Sequence, residues 1–195
     1  MSIQEMGFIH IGNSAMVSDP CYRPGTWCQG VLNNMKPGAY AVYGEILDCS
    51  TWGNRVSRIW IVHEDYTNVD INAILSYNYE DFEVGVDSGQ AGIYDYEYYM
   101  NIYADESSAE EWYSRVCDVT YSDADGFKIG TLDEECVVSS SGFGDGSYTC
   151  QTGKNIDGEI VYVEIDYGVA DEDSEEDEYD DDMYADDSYN DDDWN

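Results

Sequence analysis

The chain has 195 residues, 43 acids against 7 Lys and Arg, a formal charge of -36 at pH 7, and 43% apolar residues. The apolar share is that of an ordinary globular chain, and the length suits one domain with or without a tail. No stretch approaches the roughly 18 apolar residues of a membrane span, and seven bases cannot form a phosphate-neutralising stripe; membrane insertion, anionic membrane surfaces and direct nucleic-acid binding are therefore not expected.

The amino terminus, Met1-Ser2-Ile3-Gln4-Glu5, has no basic start and no apolar core of a secretory leader, so a cytoplasmic setting is expected. Residues 7–17 read as a strand region broken at Gly12-Asn13, and the following SDPCYRPGTWC as a loop, because Pro20 and Pro24 withhold backbone donors. Residues 38–49 and 55–63 alternate as strands around Ser50-Thr51-Trp52-Gly53-Asn54, which predicts a hairpin. Residues 82–94 suggest two short strands around a Gly-rich turn. A helix is predicted near 108–118, capped by Ser107-Ser108, with Glu110 and Glu111 in its first turn. Residues 135–143, 147–151 and 159–167 read as a closing β-meander. In the last of these, Ile160, Tyr162, Glu164 and Asp166 face one side, and Val161, Val163, Ile165 and Tyr167 the other. Several short strands with Gly turns and one or two short helices predict a mainly β fold, an antiparallel sandwich or partly open barrel, over residues 1–168.

Residues 169–195 form an acidic tail. Residues 171–195 hold 15 acids and no base, which leaves 28 acids and 7 bases elsewhere, a net of -21. Rings recur every five positions at Tyr179, Tyr184, Tyr189 and Trp194. That period matches neither strand nor helix, and like charges oppose compaction, so the tail is expected to be disordered. Acids between spaced rings suit a partner-binding segment: the charge attracts a basic surface and each ring can dock.

The six cysteines, Cys21, Cys28, Cys49, Cys117, Cys136 and Cys150, are widely spaced and contain no CxxC pair. Without a leader, reduced thiols acting as small apolar groups are expected, rather than disulfides or a zinc site. Asp123-Ala124-Asp125-Gly126 resembles part of a calcium loop, but aligning its glycine puts Tyr121 and Leu132 at the ligating ends, so it reads as a turn. Nucleophilic catalysis would need Cys21, or a serine of 139–141, beside His10 or His63 as base. The more pointed candidates are Asp87 and Asp95 around Ser88-Gly89-Gln90-Ala91-Gly92, Asp145 within Gly142-Phe143-Gly144-Asp145-Gly146, and Asp19 in Ser18-Asp19-Pro20. If these loops meet, Asp19, Asp87, Asp95 and Asp145 form a carboxylate cluster for a divalent cation or for acid–base work; otherwise they are turn aspartates capping backbone amides.

Three segments, VSDPCYRPGTW (17–27), VDSGQAGIYD (86–95) and VVSSSGFGDGSY (137–148), together with WGNRV (52–56), resemble a family of uncharacterised bacterial and phage proteins. The resemblance implies a shared β-rich domain and an intracellular bacterial or phage setting. It supplies no catalytic residue.

Three functions of different class are consistent with these features. The first is a non-enzymatic binding protein that engages a basic protein surface, in its sharpest form a phage- or bacterium-encoded inhibitor that mimics nucleic acid. The second is a metal-dependent hydrolase using the four aspartates. The third is a small-ligand protein with a Tyr/Trp-walled pocket for a nucleotide-like molecule, which requires convergence of Arg23, Arg55, Arg58 and Arg115.

Overall fold

The computed structural model describes residues 2–75, 79–121 and 128–169. The strands are β1 (Ser2–Ile11), β2 (Ser14–Ser18), β3 (Gly30–Asn33), β4 (Gly38–Asp48), β5 (Asn54–His63), β6 (Tyr79–Val86), β7 (Gln90–Asp95), β8 (Ile129–Leu132), β9 (Cys136–Ser140), β10 (Gly146–Lys154) and β11 (Ile160–Asp166). The helices are α1 (Ile71–Leu75), α2 (Tyr96–Ile102) and α3 (Glu106–Thr120). The strands form two antiparallel sheets, ordered β1-β4-β5-β11-β10-β6 and β3-β2-β7-β9-β8, which pack face to face without closing into a barrel.

Alternation decides which side chains lie between the sheets. Val163, Ile165 and Tyr167 of the last strand region point inward, with Val42, Ile59, Ile61, Ala91, Ile93 and Val137. Tyr162 and Glu164 point outward, as the period-two pattern predicts, but Ile160 joins the inner cluster and Val161 the outer one, because the register with β10 shifts between Gly153↔Tyr162 and Lys154↔Ile160. The outer face of the five-stranded sheet is not solvated: Met16, Tyr94, Cys136 and Val138 pack under α2 and α3 through Tyr99, Ile102, Trp112 and Val116. On the outer face of the other sheet, Trp60, Val62, Val161 and Tyr162 pack with Ile74 of α1. Trp112 and Val116, four residues apart, supply the buried stripe that holds α3 against its sheet.

The predicted hairpin is present as β4 and β5, with register Tyr40↔His63 to Asp48↔Asn54. Gly12-Asn13 breaks the first strand region, and residues 19–29 are a loop. Two expectations are corrected. Strands β6 and β7 flank the Gly-rich turn as expected, though they lie in different sheets. Strands β9 and β10 also lie in different sheets, so only β10–β11 remains of the predicted meander. The long helix α3 is capped by Asp105, whose carboxylate accepts from the Ser108 amide at 3.0 Å, not by Ser107-Ser108. A helix at Tyr96–Ile102 and the short strands β3 and β8 were not expected. The Asp123–Gly126 turn lies outside the described residues, as do Tyr179, Tyr184, Tyr189 and Trp194. Cys28, Cys49, Cys136 and Cys150 are buried, as small apolar groups would be.

Candidate functional site

Strand register brings four connections to one end of the sandwich. They are the β2–β3 loop (19–29), the β4–β5 turn (49–53), the β6–β7 link (87–89) and the β9–β10 link (141–145). The three sequence segments that carry the family resemblance therefore meet here.

Asp19 joins them. Its side chain is buried, with relative exposure of 0%. Oδ1 accepts from the Cys21 amide at 2.7 Å and the Ser88 hydroxyl at 2.7 Å. Oδ2 accepts from the amides of Asp87 and Ser88, each at 2.8 Å. Two bonds per oxygen use the full acceptor capacity of a carboxylate, and bonds to a charged acceptor are the strong kind. The third segment is attached through the Ser141 amide, which donates to Gly89 O at 3.0 Å. Ser141 Oγ donates to Gly144 O at 2.7 Å, and the Tyr148 hydroxyl lies 2.6 Å from the same oxygen. Gly89 and Gly144 have φ of +68° and +122°, values that disfavour any side chain, so the glycines permit this close meeting.

From below, α2 pins the 19–29 loop. Tyr99 donates to Tyr22 O at 2.5 Å, and Tyr103 donates to Pro20 O. Burial pushes the Tyr99 phenol up to about 12, so it stays a neutral donor. Gln29 Oε1 accepts from the Gly25 and Thr26 amides at 2.9 and 3.0 Å. The loop so braced presents Trp27 to solvent at 93% exposure.

Between this loop and the ends of β6 and β10 lies an open cleft of about 760 Å³, whose lining includes Tyr22, Trp27, Glu83, Asp87, Asp145 and Ser147. Burial and the neighbouring Asp87 carboxylate hold the Tyr22 phenol above its ordinary value. Beside the cleft, Phe143 of the β9–β10 link meets Trp52 of the β4–β5 turn edge to face, ring centroids 6.3 Å apart. The Arg55 guanidinium lies 5.6 Å from the Phe143 centroid. Trp52 and Phe143 are 65% and 60% exposed.

The four candidate aspartates thus separate. Asp19, Asp87 and Asp145 share this end, and Asp95 does not. Asp95 sits six residues along β7, opposite Ala15, where its carboxylate accepts from the Gly12 amide at 2.8 Å and the Tyr98 amide at 2.9 Å. A six-residue strand spans roughly 17–20 Å, far beyond the reach of a shared cation. Among the described residues, no group of three or more His, Cys, Asp or Glu side chains is placed to hold a metal ion.

The other chemical candidates separate too. Cys21 is exposed, but desolvation of its sulfur and the Asp19 carboxylate push its thiol up to about 12, opposite to the shift that activates a nucleophile. Ser139 Oγ is buried against the Tyr167 hydroxyl at 2.7 Å. His10 and His63 pair with Ala39 and Tyr40 at the far end of the sheet, away from Cys21 and Ser139. The arginines do not converge. Arg23 pairs with Glu106 and Arg115 with Asp133, and Arg58 bridges Glu45 and Glu164 on the outer face of the large sheet.

The sequence suggested a Tyr/Trp-walled pocket without locating it; what sequence reasoning missed is that the rings are exposed and that the cleft lies beside Asp87 and Asp145. The signal was present in Trp27 and Phe143, apolar residues set among Gly, Pro and Asp, where a core residue would not be expected.

No curated protein and no solved structure matches the chain. Residues 16–165 match a family model described as a protein of unknown function, DUF4241. The match runs from within β2 to the penultimate residue of β11 and takes in every loop of the cleft-bearing end. Since it covers well over half of the sequence, the chain belongs to the DUF4241 family of proteins of unknown function.

Proposed function

We propose that this protein is a non-enzymatic binding protein whose loop-bearing end engages a basic protein surface. The observation that carries the reading is the placement of exposed Trp27, Trp52 and Phe143 at the same end as the carboxylates of Glu83, Asp87 and Asp145, on a chain of charge -36. Large exposed rings are poor solvent-facing residues and good interface anchors; surrounding acids steer a cationic partner and reject polyanions. In its sharper form the partner is a nucleic-acid enzyme whose phosphate-binding groove this protein occupies, as a bacterial or phage-encoded inhibitor in the cytoplasm would do. The acidic segment with Tyr179, Tyr184, Tyr189 and Trp194 then extends the same contact.

The hydrolase reading is less well supported, because Asp19 has no acceptor capacity left for a cation and Asp95 is remote. The nucleotide-like ligand reading lacks converging arginines.

The test is capture from a lysate of the source cell on immobilised full-length protein, beside a Trp27→Ala, Trp52→Ala variant. The expected result is a basic protein released by rising salt and reduced on the variant. Retention of nucleic acid, or retention of basic proteins equally by both columns, would overturn the reading.

A further inference from the structure

We infer that the cleft between the 19–29 loop and the ends of β6 and β10 seats an arginine side chain of the basic partner, stacked on Trp27 and paired with Asp87 and Asp145. The inference rests on the proposed function and names the chemistry of its central contact.

The lining selects the occupant. Glu83, Asp87 and Asp145 give the cleft three carboxylates, and no Lys or Arg lines it. A neutral or anionic ligand would leave those charges uncompensated, whereas a cation completes them. A bare metal ion is disfavoured, because no metal-holding group of three ligands occurs among the described residues and about 760 Å³ is room for a chain segment, not an atom. The indole of Trp27 then discriminates between the two basic side chains. A planar guanidinium stacks on an aromatic face while its edge donates two parallel bonds to a carboxylate; a compact, strongly hydrated ammonium does neither as well. Trp27 is free to take this role because its loop is held from behind by Tyr99, Tyr103 and Gln29, so stacking requires no reordering of the backbone. Ser147 and Tyr22 add hydroxyls to the rim.

The protein already shows this pairing internally. Arg58 lies 5.2 Å from the Trp60 ring centroid while its Nε and a terminal nitrogen donate to Glu45 at 2.9 and 3.2 Å. The cleft offers the same set, an indole beside carboxylates, with the cation left to come from outside.

The probes are a short fluorescent peptide alternating glycine and arginine, and its glycine–lysine counterpart, titrated into the full chain at low and moderate salt with anisotropy as readout. Trp27→Ala and Asp145→Asn are the local variants; both residues are exposed, and their folding is checked by thermal melting. Asp157→Asn, an exposed residue in the turn at the opposite end, removes the same charge elsewhere. The expected result is tighter binding of the arginine peptide, weakened about fivefold to thirtyfold by Trp27→Ala and about threefold to tenfold by Asp145→Asn, with less than about twofold change for Asp157→Asn. Equal weakening by Asp145→Asn and Asp157→Asn, or no preference for arginine, would overturn the arginine seat while leaving a diffuse basic-partner role standing. Failure of both peptides to bind at low salt would overturn the seat and the proposed function together.

Discussion

The two ends of the sandwich are tied by the same device and then differ in everything around it. At one end Asp19 gathers the amides of Cys21, Asp87 and Ser88. At the other, Asp95 caps α2 through the Tyr98 amide and holds the Gly12 amide. Around Asp95 the turns are bound to one another: His10 N donates to Glu134 O at 2.7 Å, and Asp95 N to Glu135 O at 2.8 Å. Around Asp19 the loops instead project rings. Of the exposed aromatic residues, Trp27, Trp52, Tyr121 and Phe143 cluster toward the Asp19 end, and Phe8 lies on the β1 edge. A buried aspartate at a strand end is thus an organiser of backbone; what distinguishes the proposed binding end from the closed end is which side chains the organised loops expose.

Asp19→Ala strips three amides of their acceptor at once and is expected to cost about 3–6 kcal/mol, read as a lower urea midpoint, with Asp19→Asn recovering part of it. A loss below about 1 kcal/mol would show that Asp19 is not the tie. Asp95→Ala removes a helix cap and one further acceptor, an expected cost of about 2 kcal/mol that leaves binding of the arginine peptide unchanged. Altered peptide affinity in that variant would erase the distinction between the ends.

A smaller effect concerns pH at the Asp95 end. The Arg115 guanidinium, with the Tyr98 hydroxyl, holds the Asp133 carboxyl below its ordinary range. A folded pKa below the unfolded one contributes stability that is present above the unfolded value and is lost as pH falls through the folded value. Arg115→Met is therefore expected to shrink the stability lost between neutral and acid pH, by less than about 1 kcal/mol because the pair is partly exposed. Denaturation midpoints across that range check it; an unchanged acid limb would remove the pair from the account. The smallest expected stability change belongs to Trp52→Ala. Its side chain packs on Phe143 at the surface, so stability should move by no more than about 0.5 kcal/mol while partner capture falls. A larger loss on melting would make Trp52 structural.

Much of the fold was legible locally. The alternation of residues 162–167, the β4–β5 hairpin and the break at Gly12-Asn13 all follow from period and turn chemistry, which operate over a few residues, whereas the bulge that inverts Ile160 and Val161 does not show in the period. The edge strands β3 and β8 are only four residues long, too short for a pattern, and exist because β2 and β9 offer them partners. The segment Tyr96–Ile102 reads YEYYMNI, equally suited to a strand, and becomes helical because Asp95 caps it and its rings find Trp112 and the sheet below. The links 87–89 and 141–145 have hairpin lengths, yet each crosses between sheets.

For the site, the sequence alone determined the ingredients: the sign and size of the charge, the aspartates in turns, the glycines, and rings where burial is improbable. Only the tertiary structure decided which of them meet. Strand length carries Asp95 to the far end, Asp19 is consumed by backbone amides, and Trp27, Asp87 and Asp145 come to face one cleft. The physical reason is that composition and local period act along the chain, whereas the company a side chain keeps is set by sheet order and register, which depend on all the strands at once.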